Sequence, residues 1–337
     1  MSASSVAATA TQWPDWPVYG LVDDLRPTLL KWAERGESAA IATLVSIVGS
    51  SPRPLGSEMA IAASGAVAGY VSGGCVEGAV AAEARPVIES GKPVMLDYGA
   101  GSPVLDVQLT CGGRIGIFVR PVADLPAYAE RLREAQNARA ALDVAIDLDS
   151  GAHHFELAGK ETKAEGRIFR KTFLPPPRLI VIGSDPITVA LCQLAPRFGF
   201  EVGLLRPYGP ANPPAGVQPF HYDTRPIARA IQDVPIDAWT AVYTLTHNMD
   251  DDQDILLRAL PSAAYAVGVL GSRRKIEERS NLLAAAGIGT KEMEHLSTPA
   301  GIDIGAQNPS EIALSILAEL VAKRPRVKQP QLQSATA

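Results

Sequence analysis

Three consecutive prolines, Pro175-Pro176-Pro177, set a semi-rigid break near the middle of this 337-residue chain. Such a run holds the backbone extended and offers no N–H to a helix or a ladder. The spacing therefore predicts a domain boundary just before it. Downstream, the apolar runs at 178–182, 202–205, 241–246 and 265–270 read as strands, while 187–198, 252–260 and 275–286 carry helical periodicity. Strand and helix in alternation build a parallel sheet with helices on its faces. The last helix is the best signalled, with Asn308 as N-cap, Pro309 in the first turn, Glu311 closing a capping box, and Ile312, Ile316 and Leu320 in period.

Upstream the pattern is mixed. Leu25, Leu29 and Trp32 mark a helix over 24–35 that Gly36 stops, and 75–89 and 125–138 read as further helices. Strands are expected at 39–48, 59–62, 66–71, 94–97 and 115–119, with a hairpin of 142–148 and 153–157 around Asp149-Ser150-Gly151. The expected fold class is α/β, with a mixed α/β N-terminal domain over 22–174 and a C-terminal parallel-sheet domain over 175–323. A flexible arm at 1–21 and a disordered tail at 324–337 frame them.

Thirty-one basic against 36 acidic residues give a net charge of −5, so no chain-wide positive field draws the chain to nucleic acid or an anionic membrane. Any anion site must be local. The longest nearly uncharged stretch, 38–51, is too short for a membrane span and reads as a buried strand. The opening residues lack the basic start and apolar run of a secretory signal. Three cysteines, Cys75, Cys111 and Cys192, are too few for a disulfide framework. A reducing, cytoplasmic setting is expected.

Several turns could carry chemistry. Gly49-Ser50-Ser51-Pro52-Arg53 leaves a buried strand and gathers hydroxyls, backbone N–H groups and one guanidinium, which suits a phosphate or carboxylate, or makes a tight serine-capped loop. In Ser72-Gly73-Gly74-Cys75-Val76-Glu77, two glycines open the backbone to a ligand at a helix start, and Cys75 is expected in the first turn. A thiol there has a lowered pKa and is a candidate nucleophile, metal ligand or sulfur carrier; the alternative is a small packing residue. Cys111-Gly112-Gly113 repeats the pairing of cysteine with two glycines. The 36 residues between the thiols are not a zinc spacing, but a shared pocket is open to them.

In the C-terminal half, Gly183-Ser184-Asp185-Pro186-Ile187-Thr188 stands where a dinucleotide fold has G-x-G-x-x-G, which makes this domain Rossmann-like. Only the first glycine is kept, and Asp185 puts a carboxylate where pyrophosphate would approach. NAD(P) binding is therefore doubtful. Thr246-His247-Asn248, with Asp250, Asp251, Asp252 and Asp254 behind it, reads as a loop and helix start; a magnesium or general-acid role for His247 is the alternative. Gly271-Ser272-Arg273-Arg274-Lys275 is either a phosphate grip or a solvated surface.

Together with Gly301-Ile302-Asp303-Ile304-Gly305 and the helix from Pro309, these motifs resemble the XdhC/CoxI family, in order from about residue 22 to 323. These are accessory proteins of xanthine dehydrogenase and related molybdenum hydroxylases. The resemblance implies a cofactor-handling N-terminal domain and a Rossmann-like second domain, usually in a homodimer. It implies binding of the molybdenum cofactor, as molybdopterin or its dinucleotide form, help with its sulfuration, and insertion into an apo molybdenum hydroxylase, with a cysteine desulfurase as further partner. On that reading Gly49, Ser50, Ser51, Pro52, Arg53, Ser72, Gly73, Gly74, Cys75, Glu77, Cys111, Gly112, Gly113, Gly183, His247, Gly271, Ser272, Arg273 and Arg274 contact cofactor, and Cys75 and Cys111 meet molybdenum or its sulfur. The role is that of a carrier more than a catalyst with turnover. The rivals are an NAD(P)-dependent oxidoreductase and a scaffold with no cofactor.

Overall fold

The computed structural model describes residues 22–99, 112–158, 162–271 and 275–327. The expected arm at 1–21, most of the expected tail, Cys111, Ser272, Arg273 and Arg274 lie outside the described residues. The chain divides into two compact units, one running to Leu174 and the other spanning Pro175–Arg326.

The first unit follows the order α1 (Arg26–Glu34), β1 (Ala39–Val48), β2 (Glu58–Ala62), β3 (Val67–Gly69), α2 (Glu77–Ser90), β4 (Val94–Gly99), β5 (Arg114–Pro121), α3 (Leu125–Asn137), β6 (Leu142–Asp147), β7 (His153–Leu157), β8 (Lys163–Glu165) and β9 (Ile168–Phe173). Its larger sheet has the order β3-β2-β1-β5-β4, antiparallel throughout. β1 reads as a charge-free, mostly apolar run because both its faces are covered from Ala39 to Val45. Ile41 and Val45 join Leu29, Trp32 and Leu132 from α1 and α3, while Ala42 and Leu44 join Val80, Ala84 and Val87 from α2. A bulge between Leu44 and Ser46 shifts the register with β5 just before the turn at Gly49, a common device for re-aiming a strand end. The smaller sheet, β7-β6-β9-β8, includes two strands that the periodicity did not flag, β8 and β9. From β9, Lys171 reaches Glu58 of β2 at 2.7 Å and ties the two sheets together.

The second unit contains β10 (Arg178–Ile182), α4 (Pro186–Leu194), β11 (Glu201–Leu205), β12 (His221–Asp223), α5 (Ile227–Ala230), β13 (Thr240–Thr244), α6 (Met249–Ala259), β14 (Ala266–Val269), α7 (Ile276–Ala285), α8 (Thr290–Met293), β15 (Leu296–Ser297) and α9 (Pro309–Lys323). All six strands pair parallel in the order β12-β11-β10-β13-β14-β15. This is the doubly wound order in which the first strand lies between the second and the fourth. Leu191 of α4 with Ile316 and Leu320 of α9 cover one face; Ile227, Ile255, Leu256 and Leu283 of α5, α6 and α7 cover the other. The helix expected over 187–198 ends at Leu194 and tightens into a 3₁₀ turn, where Pro196 has no N–H to give. Asn308 caps α9 by accepting from Glu311 N at 3.0 Å, and Glu311 reaches back to Gln307 N, one residue beyond the N-cap of the expected box. Glu319 of α9 accepts from Gly301 N at 2.6 Å, so the Gly301 to Gly305 motif docks its loop on this helix. No helix among the described residues is long and apolar enough to cross a membrane.

Candidate functional site

Three of the glycine turns meet at one end of the five-stranded sheet. A Cβ on Gly113 would fall 2.0 Å from the carbonyl oxygen of Ser50, and one on Gly99 would fall 2.1 Å from that of Gly113. Only glycine permits that backbone approach. Gly73 faces Pro52, whose Cγ lies 3.7 Å from where its Cβ would be. The Gly49 to Arg53 turn, the Ser72 to Glu77 loop and the Gly112-Gly113 pair are thus neighbours within the first unit. Gly113 serves close packing here, whereas a Cβ on Gly112 would meet nothing within 4 Å among the described residues.

The Ser72 to Glu77 loop corrects two expectations. α2 starts at Glu77, so Cys75 lies in the loop before the helix and not in its first turn. The amides expected to cradle a ligand are filled by the chain itself. Glu77 Oε1 accepts from Val71 N at 3.0 Å, Ser72 N at 2.7 Å and Gly73 N at 3.0 Å, and Oε2 accepts from Ser72 Oγ at 2.7 Å, Gly74 N at 2.8 Å and Val76 N at 3.2 Å. Gly73 and Gly74, at φ +96° and +116°, turn their N–H groups inward to make this nest. Glu77 is 4% exposed, and burial alone would raise its pKa. The Ser72 hydroxyl and the backbone N–H groups win, and the carboxyl titrates below its ordinary value. Glu77 therefore holds the loop together. The loop in turn presents Cys75 to solvent, with its N–H on Ser72 Oγ at 3.1 Å.

Arg53 is also engaged. Its Nη2 lies 2.8 Å from Asp23 Oδ1, and its guanidinium carbon sits 4.1 Å from the centre of the Tyr70 ring. Nε is buried and has no partner among the described residues. Ser51 Oγ folds the turn by donating to the Arg53 carbonyl. The exposed Asp23 carboxylate already pairs with one end of the Arg53 guanidinium.

In the second unit, β10 and β13 are neighbours across the topological switch point, where open α/β sheets take ligands. Asp185 is the N-cap of α4 and accepts from both the N–H and the hydroxyl of Thr188, at 2.8 and 2.7 Å. Its second oxygen lies 3.4 Å from Nε2 of His247, just beyond the end of β13. A Cβ on Gly183 would strike Thr188 Oγ1 at 2.4 Å. The helix end that would meet pyrophosphate thus already holds an anion. NAD(H) is expected to bind more weakly than micromolar by calorimetry, since a carboxylate facing pyrophosphate is costly to keep unneutralised. Micromolar affinity would show that Asp185 leaves its cap.

His247 and Gly271 line a cavity of about 230 Å³ together with Thr246, Met249, Asp252, Leu270, Lys275 and Arg279. Sequence reasoning placed Asp252 only in the acidic run of a loop and helix start, and it did not single out Met249 or Arg279. Asp252, one of four clustered aspartates, is 2% exposed, and Arg279 is 3% exposed. Asp252 Oδ1 accepts from Thr244 Oγ1 at 2.6 Å and Thr246 Oγ1 at 2.7 Å, and Oδ2 accepts from Arg279 Nη2 at 2.9 Å. The two flanking threonines were the available signal. Among the described residues no three His, Cys, Asp or Glu side chains are grouped to hold a metal ion.

One chain thus joins an acid-capped Rossmann-type sheet to an antiparallel unit that bears an exposed cysteine. Residues 179–320 match the XdhC Rossmann domain, and residues 32–99 match the model of the XdhC and CoxI family. The molybdenum cofactor insertion chaperone PaoD of Escherichia coli is 31% identical over 313 residues, 90% of each chain. A Bacillus subtilis protein, named as a probable component of xanthine dehydrogenase, is 25% identical over 87% of this chain and 96% of its own. A solved structure, a xanthine dehydrogenase from Bacillus halodurans, shares the fold at a TM-score of 0.72 and 24% identity, over 88% of this chain and 94% of that one. The chain belongs to the XdhC and CoxI family.

Proposed function

We propose that this chain binds the molybdenum cofactor as cargo and delivers it to an apo molybdenum hydroxylase. The observation that carries the reading is the end-to-end likeness to a molybdenum cofactor insertion chaperone. The first unit supplies fitting chemistry, because a soft thiol on a braced loop suits a molybdenum centre and its sulfur. Glu77 has consumed the loop amides, so the cargo meets the Cys75 sulfur, the serine hydroxyls of the 49–53 turn and Arg53. Cys111, which directly precedes Gly112, belongs to the same reading. The finer steps are sulfuration of the metal centre with a cysteine desulfurase as sulfur source, and service to a hydroxylase of the xanthine, aldehyde or CO dehydrogenase type by a cytoplasmic homodimer.

The test combines retention, activation and thiol reactivity. Protein from a cofactor-producing host is assayed for pterin fluorescence after oxidation and for activation of an apo-hydroxylase. Cys75→Ala with Cys111→Ala is expected to lower both readouts more than tenfold while thermal unfolding stays unchanged. Cys75 is expected to alkylate first. Cys192 is 1% exposed and burial pushes its thiol up to about 12, so it stays inert. Full activation by the folded double variant would overturn the thiol assignment.

A further inference from the structure

Arg279 has a counter-charge in Asp252 but lacks hydrogen-bond acceptors for two of its nitrogens among the described residues. Its guanidinium is buried, yet Nε and Nη1 have no hydrogen-bond partner among the described residues. Buried donors are seldom left so, and each costs about 1–3 kcal/mol, more when charged. Asp252 takes Nη2 alone, and its other oxygen is shared by two threonine hydroxyls. Lys275, exposed on the rim of the same cavity, has no carboxylate partner among the described residues. Two cations therefore face one carboxylate. Gly271 leaves the approach open: a Cβ there would sit 3.3 Å from Nη1.

We propose that this cavity binds a phosphate monoester, with Arg279 as the buried anchor and Lys275 closing over the remaining oxygens. Asp252 already balances Arg279, so the charge left over at the cavity is that of Lys275. A carboxylate would satisfy the guanidinium alone and leave Lys275 unmatched, whereas a tetrahedral oxyanion has oxygens for both. The helix ends contribute little, because α6 carries Asp250, Asp251 and Asp252 in its first turn and α7 carries Glu277 and Glu278. Asp185, with Oδ2 3.4 Å from His247 Nε2, is a further acid bordering this end of the sheet. The cavity is several times the ~30 Å³ share of one water, which leaves room for part of the group that carries the phosphate. The site lies wholly in the second unit, and the inference goes beyond the cofactor reading without depending on it.

The experiment is calorimetry on the full chain with inorganic phosphate, adenosine monophosphate and acetate, followed by phosphorus NMR line broadening. Phosphate or the nucleotide is expected to bind and acetate to bind at least tenfold more weakly. The tighter of the first two tells a nucleotide source from free phosphate. Lys275→Ala, at an exposed position, is expected to weaken binding roughly fivefold with unchanged unfolding. Arg279→Lys, which keeps charge but loses the planar donors, is expected to weaken it more than tenfold. Absence of binding by either phosphate, acetate bound as tightly, or unaltered phosphate affinity in Lys275→Ala would overturn the proposal. Hydroxylase activation is not read here, so failure of this site and failure of the chaperone reading are separable.

Discussion

Glu77→Ala is expected to destabilise the first unit by about 3–5 kcal/mol, among the largest losses available to a single surface-adjacent substitution. The carboxylate is the acceptor for the backbone N–H groups of Val71, Ser72, Gly73, Gly74 and Val76, and a methyl group accepts from none of them. Water entering the opened loop recovers part of the loss, which keeps the figure below the sum of five orphaned donors. For a unit of this size, roughly 2–4 °C per kcal/mol puts the fall in melting temperature near 10 °C. Glu77→Gln keeps one acceptor oxygen but turns an NH₂ toward inward-pointing N–H groups, so it is expected to fall between the two. The acid limb carries the same signature. Because the folded carboxyl titrates below its unfolded value, its contribution is fully present above pH near 4.5 and is lost as pH falls through the lowered folded value. Glu77→Gln is expected to flatten that limb and to speed alkylation of Cys75. Thermal unfolding of Glu77→Ala matching the parent would mean that the nest does not form in solution.

What could be read in the sequence was whatever short-range chemistry decides. β1 announces itself because burial on both faces over 39–45 keeps it free of charge and mostly apolar, and α9 because Asn308, Pro309 and Glu311 stand at fixed offsets. The parallel sheet follows from alternation, since parallel strands need crossovers. β9 escaped because Arg170 and Lys171 interrupt its apolar positions; Arg170 pairs with Glu156 of β7 and Glu165 of β8, and Lys171 with Glu58 far along the chain. The candidate site divides in the same way. Its turns could be located from their glycines, but what those glycines are for depends on φ angles and on which side chain arrives. Gly73 and Gly74 look open to a ligand until Glu77 is seen to enter their nest. Asp185 looks hostile to an anion in sequence and proves to be an N-cap, which is a local habit of aspartate. Arg279 lies on a helix with little amphipathic character, and nothing within a few turns of it marks it as buried. Its partner Asp252 comes 27 residues earlier, from the first turn of α6.

Removing that partner is the sharpest stability experiment on the second unit. Asp252→Asn is expected to cost about 3–5 kcal/mol, because it leaves the Arg279 guanidinium buried without a counter-charge rather than merely deleting one contact. Asp252→Leu with Arg279→Met removes both charges and is expected to recover most of the loss, since well-packed apolar pairs often equal buried ion pairs in stability. A double variant as unstable as the single one would place the cost in the Thr244 and Thr246 hydroxyls that Asp252 also holds. Phosphate then separates the two consequences of one geometry. An anion bound beside Arg279 supplies part of the missing charge, so denaturant midpoints of Asp252→Asn are expected to rise more steeply with added phosphate than those of the parent, by mass action on the folded state. Chloride at matched ionic strength is expected to leave the midpoint nearly flat, because screening acts weakly on a buried charge. Equal midpoint shifts from phosphate and chloride would assign the effect to general screening and leave the pair as a structural element alone.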